Sequence, residues 1–125
     1  MNAVTGSTEL EIFLNKAKSL LLAGKYDFIP RKKNMLSLAR NGMTVIDALM
    51  VLESVSVDDY YKGPKQDFDA TRPGEIWEFK KAINRNVFYI KLKIAADDGE
   101  EVLKCIGFHE DEFSGSRGEE NDQVL

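Results

Sequence analysis

The chain has 125 residues, of which 43% are hydrophobic and 30% are charged. This length and composition are typical of one globular domain and exclude an enzyme with separate cofactor and substrate lobes. The formal net charge of −4 argues against nucleic-acid binding when it is taken over the whole chain. The charge is unevenly distributed, however. Residues 110–125 hold six acids and one base, which leaves residues 1–109 with 16 bases and 15 acids. We predict a single domain over residues 1–110 and an acidic, disordered tail over residues 111–125.

Cysteine and histidine are scarce. Cys105 is the only cysteine and His109 the only histidine, which excludes an internal disulfide and argues against a structural metal site. The first residues lack the basic and apolar regions of a signal peptide, and no apolar run approaches the roughly 20 residues of a membrane span. These features predict a cytoplasmic protein without membrane contact.

The first half of the sequence has the spacing of helices. Thr8 and Glu11 form a capping box that predicts a helix over residues 9–23, and Gly24 suits the position after its end. A second helix is predicted over residues 31–40, with Met35, Leu36 and Ala39 facing inward and Gly42 as its stop.

A third helix is predicted to begin after Thr44, with Asp47 completing a second capping box. Its expected apolar side consists of Val45, Ala48, Leu49, Val51 and Leu52. Ser56 then begins a short acidic turn that ends at Gly63-Pro64, and residues 65–75 have the composition of a surface loop.

The second half of the sequence predicts three strands, over residues 76–83, 87–95 and 101–109. Asn84-Arg85-Asn86 and Asp97-Asp98-Gly99 supply turn residues between them. Helices followed by a meander predict an α+β fold in which N-terminal helices pack on a small antiparallel sheet.

Alternation along these strands separates two faces of the sheet. The expected core face consists of Trp77, Phe79, Phe88, Ile90, Leu92, Ile94, Val102, Ile106 and Phe108. A two-residue Asn84-Arg85 turn would place Glu78 opposite Lys91 and Lys80 opposite Tyr89. The other face then consists of Glu78, Lys80, Tyr89, Lys91, Lys93, Cys105 and His109.

Two interpretations of this second face remain open. Polar residues are expected on the solvated side of an antiparallel sheet. The mixture of carboxylate, phenol, amines and imidazole is also what an acid–base ribonuclease needs: a base for the 2′-hydroxyl, cations for the phosphate and an acid for the leaving 5′-oxygen.

The order of motifs over about residues 10–112 resembles the motility quorum-sensing regulator (MqsR) family of toxins, within the RelE-like ribonuclease superfamily. The stretches that carry the resemblance are SLLLAGKYDF, VDDYYKGP, IWEF, FYIKLKI and VLKCIGFHEDE. The resemblance implies an MqsR-like α+β fold and the toxin of a type II toxin–antitoxin system. Such a toxin cleaves single-stranded mRNA, free or on the ribosome, without a metal or organic cofactor, and a cognate antitoxin protein inhibits it.

The resemblance also implies site positions, at Lys62, Glu78, Tyr89 and His109. Two of them depart from the family, which has glutamine in some members at the position of Glu78 and lysine at that of His109. A Glu–His couple suits proton transfer near neutral pH better than a Gln–Lys couple, because an unperturbed histidine titrates near 6.5 and a lysine near 10.4.

We therefore expect Glu78 to act as base and His109 as acid, with Lys62 and Lys91 neutralising the phosphate and Tyr89 positioning or stacking on a base. Additional substrate contacts are expected from Lys80, Lys93 and Arg72. Several of these positions also have a simpler interpretation: His109 as an exposed residue at the end of a strand, Tyr89 as a cross-strand partner of Lys80 and Lys62 as a solvated turn residue. Cys105 is expected to be a small filler rather than a nucleophile.

The competing hypothesis is a non-enzymatic interaction or inhibitor protein on the same fold, and the acidic tail and the two altered positions favour it. The oligomeric state is left open. A second basic cluster, formed by Arg31, Lys32, Lys33 and Arg40, would track an RNA backbone or form a solvated helix face.

Overall fold

The computed structural model of the chain describes residues 8–67 and 74–111. Arg72 and the predicted tail from residue 112 onward lie outside the described residues. The elements, in chain order, are α1 (Glu9–Leu22), β1 (Tyr26–Phe28), α2 (Lys32–Arg40), α3 (Val45–Ser54), a 3₁₀ turn (Val57–Asp59), β2 (Tyr60–Gln66), β3 (Glu75–Ile83), β4 (Asn86–Asp97) and β5 (Glu100–Glu110). The predicted α+β class is confirmed.

The helix starts agree with the sequence signals. Thr8 caps α1 and Thr44 caps α3, and in each case the carboxylate three residues later accepts a hydrogen bond from the backbone N–H of the cap residue. Gly24 follows the end of α1 with φ of 76°, a conformation in which a side chain would be strained. Local capping chemistry therefore sets the ends of these elements.

The sheet is larger than predicted, and it is mixed rather than antiparallel. Its strand order is β1-β5-β4-β3-β2, and β1 runs parallel to β5. At three residues, β1 is too short for alternation to reveal it. The strand β2 includes Lys65 and Gln66, which we predicted to lie in a loop, and it contains Gly63-Pro64. Proline and lysine are typical of an edge strand, which explains its weak sequence signal.

The predicted β3–β4 hairpin is confirmed in its turn and register. Asn84 and Arg85 have φ of 51° and 73°, the left-handed pair of a type I′ turn. Glu78 lies opposite Lys91, and Lys80 lies opposite Tyr89.

The core lies between one face of the sheet and the helices. Trp77 and Phe79 on β3 are buried, and the ring of Phe13 on α1 stacks on Trp77 with centroids 5.2 Å apart. The predicted inward residues of α3 are buried or half-buried around Ala48 and Leu52. The other buried sheet residues of this cluster are Phe88, Ile90, Leu92, Leu103, Cys105 and Phe108.

A β-bulge overturns part of the predicted alternation in β5. Lys91 pairs with Gly107 but Leu92 pairs with Cys105, so Ile106 is an extra residue. Cys105, predicted to face outward, is consequently 2% exposed in the core, whereas Ile106 is only half-buried. Burial raises the pKa of the Cys105 thiol to about 12, so the thiol stays protonated.

The orientation predicted for α2 is wrong. Met35, Leu36 and Ala39 are exposed, whereas Asn34, Ser37 and Leu38 are buried. The reason is that α2 lies along the edge of β5 that β1 leaves unpaired.

The side chains of α2 take the place of a neighbouring strand there. The Asn34 amide donates to the carbonyl of Ile106 at 3.0 Å and accepts from the backbone N–H of Phe108 at 2.9 Å. The hydroxyl of Ser37 accepts from the N–H of Glu110 at 3.2 Å. Satisfying these buried backbone groups outweighs the burial of the three apolar side chains.

Among the residues that the structure describes, no single helix has the length and apolar composition needed to cross a membrane. The helices α2 and α3 together have the length and apolar composition of a membrane span, but a bend of 92° separates them.

Candidate functional site

The side of the sheet opposite the core brings together most of the residues singled out from the sequence. We call this surface the polar face and define it by Glu78 and Lys80 on β3, Tyr89, Lys91 and Lys93 on β4, and His109 on β5. Tyr89 lies opposite Lys80 on β3 and opposite His109 on β5, so it is at the centre of the face.

Glu78 is buried within the polar face. Its carboxylate accepts a 2.5 Å hydrogen bond from the Tyr89 hydroxyl and lies 2.6 Å from the Lys65 ammonium, and the side chain is 2% exposed. Burial acts to raise the pKa of Glu78, but the hydrogen bonds from Lys65 and Tyr89 outweigh it and the net pKa is lowered. Glu78 is therefore a fixed anion whose two oxygens already have partners, a position poorly suited to the direct base role expected from the sequence.

Tyr89 and His109 lie side by side with the ring centroids 5.3 Å apart. Burial, followed by the hydrogen bond to Glu78, raises the pKa of Tyr89, so its hydroxyl remains a donor at neutral pH. The Nδ1 atom of His109 lies 3.0 Å from the carbonyl oxygen of Glu110. A carbonyl oxygen can only accept, so Nδ1 carries the proton of this hydrogen bond.

Lys91 is half-buried beside this pair, with its ammonium 5.8 Å from the centroid of the Tyr89 ring. Burial lowers the pKa of Lys91, and the positive charges of Lys65 and Arg31 lower it further, while Glu78 opposes them. Gly107 lies opposite Lys91, where an added Cβ would meet the Lys91 Cβ at 3.2 Å. The glycine leaves room for Lys91 and Tyr89 to lie across β5.

Lys80 and Lys93, predicted as substrate contacts, both carry ion pairs. The Lys80 ammonium lies 2.8 Å from the carboxylate of Asp111, and the hydrogen bond between them raises the pKa of Lys80. The ammonium of Lys93 is buried and lies 2.8 Å from the carboxylate of Asp67. Burial leaves Lys93 little access to a ligand, whereas Lys80 is one third exposed.

Lys62 lies at the margin of the polar face, on β2 beside Glu78. It is exposed, and its ammonium lies 5.1 Å from the centroid of the Tyr61 ring. Lys80 approaches the same ring at 4.1 Å. Tyr61 is 43% exposed, and its ring is thus flanked by two cations.

Sequence reasoning missed several residues of this site. Lys65 and Tyr61 were assigned to a loop and a turn rather than to an edge strand. Gly107 in a strand is a recognised sign of a bulge and would have revealed its register. Arg31 comes from the second basic cluster, where Arg40 instead pairs with Glu110 at 2.9 Å. Within residues 8–67 and 74–111, no three His, Cys, Asp or Glu side chains are grouped so that they could hold a metal ion.

Comparisons of the chain with protein-family models, with curated proteins and with solved structures give no significant match.

Proposed function

We propose that the polar face binds and cleaves single-stranded RNA, and that the chain is the toxin of a type II toxin–antitoxin pair. The observation that carries the proposal is the juxtaposition of His109, Tyr89 and Lys91 on one partly exposed surface. The assignment to toxins rests on the motif resemblance. It implies mRNA as the substrate, the cytoplasm as the compartment and a cognate antitoxin as the partner.

The proposed reaction is attack of the 2′-oxygen on the adjacent phosphorus. A P–O2′ bond forms and the P–O5′ bond breaks, which gives a 2′,3′-cyclic phosphate and a 5′-hydroxyl. Lys91 in its neutral form takes the proton of the 2′-hydroxyl, and the lowered pKa of Lys91 increases that neutral fraction. His109 in its protonated form supplies the proton to the leaving oxygen from Nε2. Lys62 and Arg31 contribute positive charge to the phosphate.

In this proposal Glu78 is a positioning residue. Its carboxylate fixes the Tyr89 hydroxyl, and thereby the ring that contacts both His109 and Lys91. The Tyr89 ring offers a face on which an unstacked base can lie.

The test is induced expression of the wild type and of single variants, with growth and mRNA fragmentation as readouts. We expect the wild type to arrest growth, and His109→Ala and Lys91→Ala to lower cleavage by about 100-fold each. Lys16→Ala, on the opposite side of the molecule in an exposed ion pair with Glu101, is the matched control and should cleave normally.

Thermal melting of each purified variant separates loss of chemistry from loss of fold. A wild type that neither arrests growth nor fragments mRNA would refute the ribonuclease proposal. If His109→Ala is as toxic as the wild type, the general-acid assignment alone is wrong.

The second candidate function is a non-enzymatic interaction protein. The observation that favours it is the exposure of apolar side chains on α2 and α3: Met35 is 40% exposed, Leu36 47%, Ile46 69% and Met50 64%. Exposed apolar surface of this kind is typical of protein–protein contact. Under this alternative, Leu36→Ser with Met50→Ser would abolish the biological effect of the chain and His109→Ala would leave it intact.

A further inference from the structure

The acidic residues that follow β5 have no role in the proposed chemistry, yet the first of them lies on the polar face. The backbone N–H of Asp111 donates to the carbonyl of Val87 at 2.7 Å, which continues the pairing of β5 with β4. Its carboxylate reaches past β4 to Lys80 on β3, at 2.8 Å. Asp111, the last residue that the structure describes, therefore lies at this face of the sheet.

The polar face carries more positive than negative charge near its centre. Lys91 is close enough to Lys65 and Arg31 for their charges to affect its ionisation, and Glu78 and Asp67 are the anions whose charges oppose them. Lys62 adds a further exposed ammonium beside Glu78. An additional anion at this position would relieve the repulsion between the cations.

The sequence after Asp111 supplies such anions within reach. Residues 112–122 include four acids: Glu112, Glu119, Glu120 and Asp122. Neighbouring strands lie about 4.8 Å apart, so the lysines of β2 are about 10 Å from β4 across the sheet. The eight residues from Glu112 to Glu119 span at most about 28 Å when extended, which exceeds that distance.

We propose that the polar face is the docking surface for residues 112–122 of the same chain, whose carboxylates occupy the positions of RNA phosphates. The segment thereby competes with RNA for Lys62, Lys91 and Arg31. The competition rests on the proposed function, whereas the contact between the segment and the face does not.

The test uses the full chain in three forms. The first is the wild type. The second neutralises the segment by Glu112→Gln, Glu119→Gln, Glu120→Gln and Asp122→Asn. The third is a matched control that changes the net charge equally, by Glu9→Gln, Glu53→Gln, Glu100→Gln and Asp98→Asn at exposed positions on α1, on α3 and at the β4–β5 turn.

Two readouts are measured, and the first needs no RNA. The amide NMR resonances of Tyr89, Lys91 and His109 should shift in the segment variant and stay in place in the control. In the second, fluorescence anisotropy with a labelled single-stranded RNA should show about fivefold tighter binding by the segment variant than by the control at low salt. That difference should shrink as salt screens the charges.

The outcomes separate the two proposals. Unshifted resonances on the polar face would overturn the docking inference, whatever the RNA result. Equal RNA affinities of the segment and control variants would overturn the competition. If no form binds RNA while the resonances shift, the proposed function fails and the contact between segment and face stands.

Discussion

The two faces of the sheet are formed by the same strands but are stabilised by different interactions. On the core face Phe79, Phe88 and Ile90 are fully buried against apolar neighbours, and their contribution to stability comes from area removed from water. On the polar face Glu78 and Lys93 are almost equally buried, at 2% and 4% exposed, but each is held by an ion pair. Burial alone therefore does not distinguish a packed core from a preorganised polar site. The two are distinguished by the partners of their buried groups, which are apolar side chains in the core and oppositely charged side chains on the polar face.

The largest expected effect tests the core face. Phe79→Ala should lower the free energy of unfolding by about 3 to 5 kcal/mol, because it removes a fully buried ring that the Phe13 ring contacts. Urea unfolding monitored by circular dichroism measures it. A loss below about 1 kcal/mol would show that this face is not the core of the molecule.

A substitution on the polar face is expected to lower the free energy of unfolding by a smaller amount, and that amount should depend on pH. Glu78→Gln should cost about 1 to 3 kcal/mol at neutral pH, because Lys65 and Tyr89 lose a charged acceptor. The folded pKa of Glu78 lies below its ordinary value of 4.5, so its stabilisation is present above that value and disappears as pH falls through the folded pKa.

The gap between wild type and Glu78→Gln should therefore narrow in acid. Glu53→Gln on the exposed side of α3 is the control and should unfold like the wild type at every pH. A gap that is constant from neutral to acid pH would mean that the carboxylate charge does not stabilise the fold.

The smallest expected loss of unfolding free energy is for a substitution at Tyr89. Tyr89→Phe should cost about 1 to 2 kcal/mol at neutral pH, because Glu78 loses a hydrogen bond. The folded pKa of Tyr89 is raised above the ordinary value of 10.0, so an unfolded tyrosine ionises first and wild-type stability falls as pH rises above it. The two proteins should converge in alkaline urea titrations, and a gap that widens would contradict the Tyr89–Glu78 bond.

Structural features that depend on nearby residues could be predicted from the sequence, whereas features that depend on distant residues could not. The β3–β4 register followed from alternation and from the Asn84-Arg85 turn, both of which are local. The orientation of α2 did not, because Asn34 is buried to satisfy the edge of β5, more than 70 residues away in sequence. Hydrophobic periodicity contains no information about such a distant unpaired edge.

The sequence predicted which residues share the polar face, but not how they are buried and paired. Alternation placed Glu78, Tyr89, Lys91 and His109 on one face. The burial and pairing of Glu78 depend on Lys65, which lies on a weakly signalled edge strand. The bulge at Ile106 was missed because a strict two-residue period was carried past Gly107.

RNA binding on the polar face is tested by an NMR titration of the full chain with a short single-stranded RNA. We expect the amide and side-chain resonances of Tyr89, Lys91, Gly107 and His109 to shift together, while those of α1 and α3 stay in place. Shifts confined to the exposed apolar side chains of α2 and α3, or no shifts at all, would contradict RNA binding on the polar face.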